Sequence, residues 1–154
     1  MKKVQPEPVL ADLPCACATA RQVARVLTQL YDTRLRASGL EAPQFALLLT
    51  LEKMGRCSQV DLGKRFALDK TTVSRNLALL ENSGWIQSAV GIDRRRREFT
   101  LTAAGRERLA GAKPRWKEAQ DQLRSQMTGE QWETMFRIFR EVTAAAQAVQ
   151  RNTD

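Results

Sequence analysis

The chain has 154 residues, with 25 lysines and arginines against 17 aspartates and glutamates, a formal net charge of +8 and an isoelectric point near 10.0. That length suits one domain with a real core, and the basic balance favours an anionic partner, nucleic acid before membrane surface. No histidine is present, which removes the commonest general base and transition-metal ligand, and no apolar run approaches the roughly 20 residues of a bilayer span.

Residues 1–11 carry Pro6 and Pro8 and little apolar periodicity, so they read as a flexible arm. Met1-Lys2-Lys3 is not followed by the apolar run of a signal peptide, so the expected compartment is the cytoplasm, where thiols stay reduced. A first helix is expected from Leu13 or Pro14 to Ala37, with Val23, Val26, Leu27, Leu30, Tyr31 and Leu35 as its buried stripe and Ser38-Gly39 as its stop. A second starts after Pro43, carries Phe45, Leu48, Leu49 and Glu52, and stops at Gly55. Ser58 caps a short third helix ending near Phe66-Ala67, and Asp69 caps a fourth, whose buried stripe is Val73, Leu77 and Leu80. Gly84 ends the fourth helix, and the hydrophobic period then changes from helical to alternating. Trp85 to Val90 and Arg97 to Leu101 are expected as two strands joined by an arginine-rich tip. Thr102 caps a long helix to about Gln126, with Pro114 expected to kink or break it. Thr128 and Gln131 fit a capping box before a last helix with the stripe Trp132, Met135, Phe136, Phe139, Val142 and Ala146.

The order of elements is that of a helix-turn-helix followed by a β-hairpin wing, within a mainly α (α+β) fold. On the fourth helix Lys70, Thr71, Thr72, Ser74, Arg75 and Asn76 include most of the outward positions. Side chains of this kind reach base edges or phosphates from a helix lying in a major groove, mainly through its N-terminal half. The same face would also serve as the ordinary solvated side of an amphipathic helix. The tip Arg94-Arg95-Arg96-Arg97 follows Asp93 and suits a phosphate surface, where each bound cation releases counterions. Asp93 beside this charge is expected to pair with Arg75 or Arg95 and fix the wing.

At Asp69-Lys70-Thr71-Thr72-Val73-Ser74-Arg75-Asn76-Leu77, at Leu80-Glu81-Asn82-Ser83-Gly84-Trp85-Ile86, and at Asp93-Arg94-Arg95 followed by Leu101-Thr102-Ala103-Ala104-Gly105, the chain resembles the MarR family of bacterial transcriptional regulators. The likeness extends from about Leu13 to Val149. It implies a single domain over 12–154, with helices of 12–38 and 102–150 forming a homodimer interface and 43–101 forming the winged helix-turn-helix lobe. It also implies a double-stranded, inverted-repeat operator with half-sites roughly 10 bp apart. Arg75 and its neighbours would read the major groove and Arg94 would enter the minor groove. The expected DNA-contacting set is Ser58, Lys70, Thr71, Thr72, Ser74, Arg75, Asn76, Asp93, Arg94, Arg95 and Arg96.

Family members usually act as repressors that release DNA on binding a small molecule or on oxidation. For an aromatic or phenolic effector, family architecture points to a cleft drawing on Tyr31, Arg34, Phe45, Leu48 and Trp116, residues that serve equally well as core packing. Cys15 and Cys17 depart from the family pattern. Two residues apart on a helix, they point in different directions and are poorly placed to bond each other. They can pair across a dimer, bind a soft metal ion or react with an oxidant, or simply pack. Cys57 reads as core. No nucleophile–base pair, paired carboxylates, glycine-rich phosphate loop or metal-ligand spacing is found, so no catalytic residue, metal or cofactor is expected. The competing reading is a non-specific or architectural DNA-binding protein.

Overall fold

The computed structural model describes residues 15–91 and 96–152. The expected arm of residues 1–11 lies outside this range. The chain divides into two compact units, with the boundary between Trp116 and Lys117.

In the first unit, helix α1 spans Ala16–Leu35 and is followed by a 3-10 turn, Arg36–Ser38, that Gly39 closes in the left-handed region. Cys15 is extended, so the helix starts later than Leu13 or Pro14. Of the expected stripe only Leu35 is fully buried, and Val26 is 59% exposed. Helix α2, Ala42–Met54, has Pro43 in its first turn. Its first amide is capped from outside: Ala42 N–H donates to Asp32 Oδ1 of α1 at 2.7 Å. Phe45, Leu47, Leu48 and Leu51 are all buried, because this helix is packed on more than one side and a single stripe understates its burial.

Strand β1, Cys57–Ser58, was not among the expected elements. Helix α3 is Gln59–Phe66 and helix α4 is Lys70–Asn82. Strands β2, Ile86–Val90, and β3, Arg97–Leu101, form the hairpin, and β1 adds to its far side in the order β1-β3-β2, all antiparallel. The pairs Cys57↔Phe99 and Ile86↔Leu101 put Phe99, Leu101, Ile86 and Cys57 on the core side. Helix α5, Ala103–Ser125, is one long helix with Pro114 inside it, so of the expected kink or break the break is absent. Leu35, Leu48, Leu62, Leu80 and Leu109, each 0% exposed, tie these elements into one core.

The second unit contains the C-terminal part of α5 and helix α6, Gly129–Arg151. The capping box forms as expected: Gln131 N–H donates to Thr128 Oγ1 at 3.1 Å and Thr128 N–H to Gln131 Oε1 at 2.9 Å. Along α6, Phe136, Phe139 and Val142 are 41%, 42% and 53% exposed, so much of this apolar stripe is open in the single chain. Among the described residues no helix is long and apolar enough to cross a membrane.

Candidate nucleic-acid interface

The turn between α3 and α4 is built by local chemistry. Ala67 closes α3 in the left-handed region (φ 50°), and Leu68 N–H returns to Gly63 O at 2.9 Å. Asp69 then starts α4: its Oδ1 accepts from Thr72 N–H at 2.9 Å and its Oδ2 from the Thr72 hydroxyl at 2.6 Å. These two bonds, the hydroxyl first, hold the Asp69 carboxyl below its usual range. A carboxyl depressed on folding stabilises the folded state above the ordinary aspartate pKa, and that contribution is lost as pH falls through the depressed value. Amide exchange in the first turn of α4 is therefore expected to accelerate as pH drops through this window. Asp69→Asn, which keeps an acceptor without the charge, should flatten the profile; an unchanged profile would assign the effect to another group.

Behind this turn, Val73, Leu77 and Leu80 seat α4 on the core. Lys70, Thr71, Ser74 and Arg75 are exposed, and Thr72 and Asn76 are half-buried. The α4 C-terminus stops cleanly. Gly84 (φ 72°) donates to Glu81 O at 2.9 Å and Trp85 N–H to Leu80 O at 3.0 Å, the paired bonds of a Schellman ending. The chain thus turns directly from α4 into β2, so recognition helix and wing share one rigid corner.

Ser58 corrects one expectation. It is 5% exposed, and its hydroxyl accepts from Asp61 N–H at 3.1 Å while donating to Asp61 Oδ2 at 2.7 Å. It caps α3 and has no free hydroxyl to offer a phosphate. The same hydroxyl is the main cause of a depressed Asp61 carboxyl, with Arg96 and Lys64 adding to it.

Between α3, the start of α4 and the foot of β3 lies a groove of about 520 Å³. Lys64, Lys70, Arg96 and Arg97 line it, and among the described residues no carboxylate does. Lys70 and Arg96 were expected at the interface, whereas Lys64 and Arg97 were not. Arg97 was legible as the fourth member of the arginine run. Lys64 carries no local signal, since its position is set by how α3 packs beside β3. Gln59 Nε2, donating to Lys70 O at 3.3 Å, ties α3 to α4 at the mouth of this groove.

Arg97 also braces the wing. Its Nη2 donates to Ser88 Oγ and lies 3.4 Å from Glu81 Oε1, which accepts from the Ser88 hydroxyl at 2.6 Å. Arg56 and Glu98 pair at 3.4 Å elsewhere on β3. Exposed pairs of this kind contribute roughly 0–1 kcal/mol each, so they orient the hairpin more than they stabilise it. Asp93, Arg94 and Arg95, including the expected pairing of Asp93, lie outside the described residues.

The residues expected around an effector separate. Phe45 and Leu48 are 3% and 0% exposed, and Phe45 stacks on Trp116 at 5.8 Å, so these side chains pack the core of this chain. Tyr31 and Trp116 are partly buried against that core, and burial raises the Tyr31 phenol. Arg34 is half-buried on α1. Cys15 is half-buried, Cys17 exposed, and both are free thiols at the start of α1. Cys57 is buried, and desolvation raises its thiol, which keeps it unreactive.

A capped helix-turn-helix running through a rigid corner into a three-stranded basic wing defines a winged helix-turn-helix protein. A sequence profile for the MarR family matches residues 38–97. The structure of the Mycobacterium tuberculosis transcriptional regulator MosR in complex with DNA is similar at 34% identity and a TM-score of 0.80, covering 88% of this chain and 98% of that one. An uncharacterized HTH-type transcriptional regulator of Bacillus subtilis, YwoH, is 24% identical over 119 residues, 77% of this chain and 87% of the relative. The Streptomyces coelicolor regulator PcaV, solved with its natural ligand, shares the fold at 23% identity and a TM-score of 0.78, covering 89% of this chain and 96% of that one. The chain belongs to the MarR family of transcriptional regulators.

Proposed function

We propose that this protein is a sequence-specific regulator of transcription that binds double-stranded DNA as a homodimer on an inverted repeat and acts as a repressor in the bacterial cytoplasm. The observation that carries this reading is the continuity of the exposed Lys70–Arg75 face with a groove lined by four cations and, among the described residues, no carboxylate. Lys70, Arg96 and the neighbouring cations supply phosphate contacts, which set affinity and its salt dependence. Thr71, Ser74, Arg75 and Asn76 reach base edges, and Arg94 enters the minor groove. The MosR–DNA complex supports DNA as the partner. The open apolar stripe of α6 supports the dimer.

Release is proposed through a small aromatic or phenolic effector, or through modification of Cys15 and Cys17. The exposure of Cys17 and the partial exposure of Cys15 support the second route. Fluorescence anisotropy with the DNA upstream of the gene and a scrambled duplex, at two salt concentrations, tests the core of this reading. Preference for the upstream fragment that survives higher salt is expected. Equal, steeply salt-dependent binding of both would favour an architectural protein. Arg75→Ala is expected to cost roughly 1–3 kcal/mol on the preferred sequence and relax discrimination, whereas Lys70→Ala should weaken all sequences alike and lower the salt slope by about 1. Identical profiles for the two variants would contradict this division.

A further inference from the structure

Glu81, Ser88 and Arg97 form a polar triangle that joins the recognition helix to both strands of the wing. Glu81 sits in the last turn of α4, Ser88 at the middle of β2 and Arg97 at the start of β3. The single proton of the Ser88 hydroxyl goes to Glu81 Oε1 at 2.6 Å, which leaves the Ser88 oxygen to accept from Arg97 Nη2. Arg97 Nη2 also lies 3.4 Å from Glu81 Oε1, which closes the triangle. The Phe99 ring, with its centre 6.0 Å from the Arg97 guanidinium carbon, backs the cation from a third side. A cation, a hydroxyl and a carboxylate in series polarise one another, which favours this arrangement of the three.

The triangle holds the hairpin beyond its core-packed base. The core grips that base through Ile86, Phe99 and Leu101. Farther out, Ala89, Val90, Arg96 and Arg97 are exposed, and β1 supports β3 only at Phe99 and Glu98. A strand rises about 3.3 Å per residue, so the run from Ile86 to Val90 spans about 13 Å. A tilt of about 10° at the base would carry Val90 by about 2 Å, a displacement that no hydrogen bond survives. Contacts made by the wing with a partner therefore depend on its angle to α4.

Arg97 is also one of the four cations of the groove beside α3. We propose that Glu81 and Ser88 are positioning residues for DNA binding, which act on DNA through Arg97 by setting the angle of the wing against α4. This rests on the DNA-binding reading above. Glu81 then strengthens binding to a polyanion although it is itself an anion. On charge alone its removal would tighten binding, whereas loss of the clamp weakens it.

The test is fluorescence anisotropy of the full chain on the duplex upstream of the gene, over a series of salt concentrations. Glu81→Ala removes one negative charge and Ser88→Ala removes none. Each is expected to weaken binding roughly tenfold and to lower the slope of log K against log salt by about 1–2, as wing contacts to phosphate are lost. The double variant should be no weaker than either single one, because either change opens the triangle. Ser88→Thr keeps the hydroxyl on a strand-favouring residue and should restore wild-type affinity and slope. In an Arg94→Ala background, Glu81→Ala should cost no more than about twofold, since the wing contact is already gone. Circular dichroism should match the wild type throughout; if Glu81→Ala does not fold, Ser88→Ala against Ser88→Thr decides alone. Tighter or unchanged binding by Glu81→Ala, equal losses for Ser88→Thr and Ser88→Ala, or the full loss in the Arg94→Ala background would overturn the positioning role. A wild-type chain that binds no duplex would instead overturn the DNA-binding reading, and the positioning role with it, before any variant is measured.

Discussion

Gly105→Ala is expected to destabilise the fold by about 3 kcal/mol or more, the upper end of what overpacking costs. For a chain of this size that is a fall in Tm of roughly 6–12 °C. An added Cβ would lie 1.9 Å from Trp85 O and 2.8 Å from Trp85 C, both backbone atoms that no rotamer change can move aside. Two effects compete, because alanine is favoured over glycine in a helix by about 1 kcal/mol. The clash wins, since it displaces a carbonyl that also accepts from Thr102 N–H, while Thr102 Oγ1 donates to Gly84 O at 2.7 Å. Gly111→Ala, on the same helix with open space at its Cβ, is the control and should gain up to about 1 kcal/mol. Thermal unfolding of both at one protein concentration decides the matter. If Gly105→Ala melts with the wild type, the close approach of α5 to the wing corner is not a constraint on this fold.

The second large effect concerns α6. Phe136→Glu combined with Phe139→Glu places two carboxylates where side chains 41% and 42% exposed now form an apolar stripe with Val142. Neither site is buried in the single chain, so folding of the monomer should be little affected. In the proposed dimer both sites are covered, and burying unpaired carboxylates is prohibitive. The variant is expected to sediment as a monomer with native circular dichroism. Its affinity for a two-half-site operator should fall by roughly 10²–10⁴, the gain that linking two reading heads supplies. Binding to a single half-site should be unchanged. A variant that stays dimeric in analytical ultracentrifugation would move the interface elsewhere and leave this stripe without a role.

The elements legible in the sequence were those whose signals are local. Ser58, Asp69, Thr102 and Thr128 each accept from the backbone N–H three residues on, as their positions before apolar periods predict. Gly84 ends α4 in the left-handed region, and the change of period after it marks the hairpin. Elements that depend on distant partners were missed or misjudged. Strand β1 has two residues and exists only because Cys57 and Ser58 pair with Phe99 and Glu98. The full burial of Leu47 and Leu51 reflects the surroundings of α2, and Val26 is exposed because no described residue covers it. At the interface, the outward positions of α4 were readable from its period. Lys64 and the capping use of the Ser58 hydroxyl were not, because both follow from how α3 lies beside β3.

By itself, then, the sequence determined the order of the α-helices and of the two hairpin strands, the helix caps, the basic balance and the motif of a reading helix followed by a charged wing. These rest on interactions within three or four residues and on hydrophobic period. Tertiary structure alone decided that Lys64, Lys70, Arg96 and Arg97 share one groove, that Trp85 is locked between α4 and α5, and that Arg108 bridges Ser38 and Trp85. The longest of those contacts, Arg108 to Ser38, joins residues 70 positions apart, and at such separations only the packed core, not the local chain, brings side chains together.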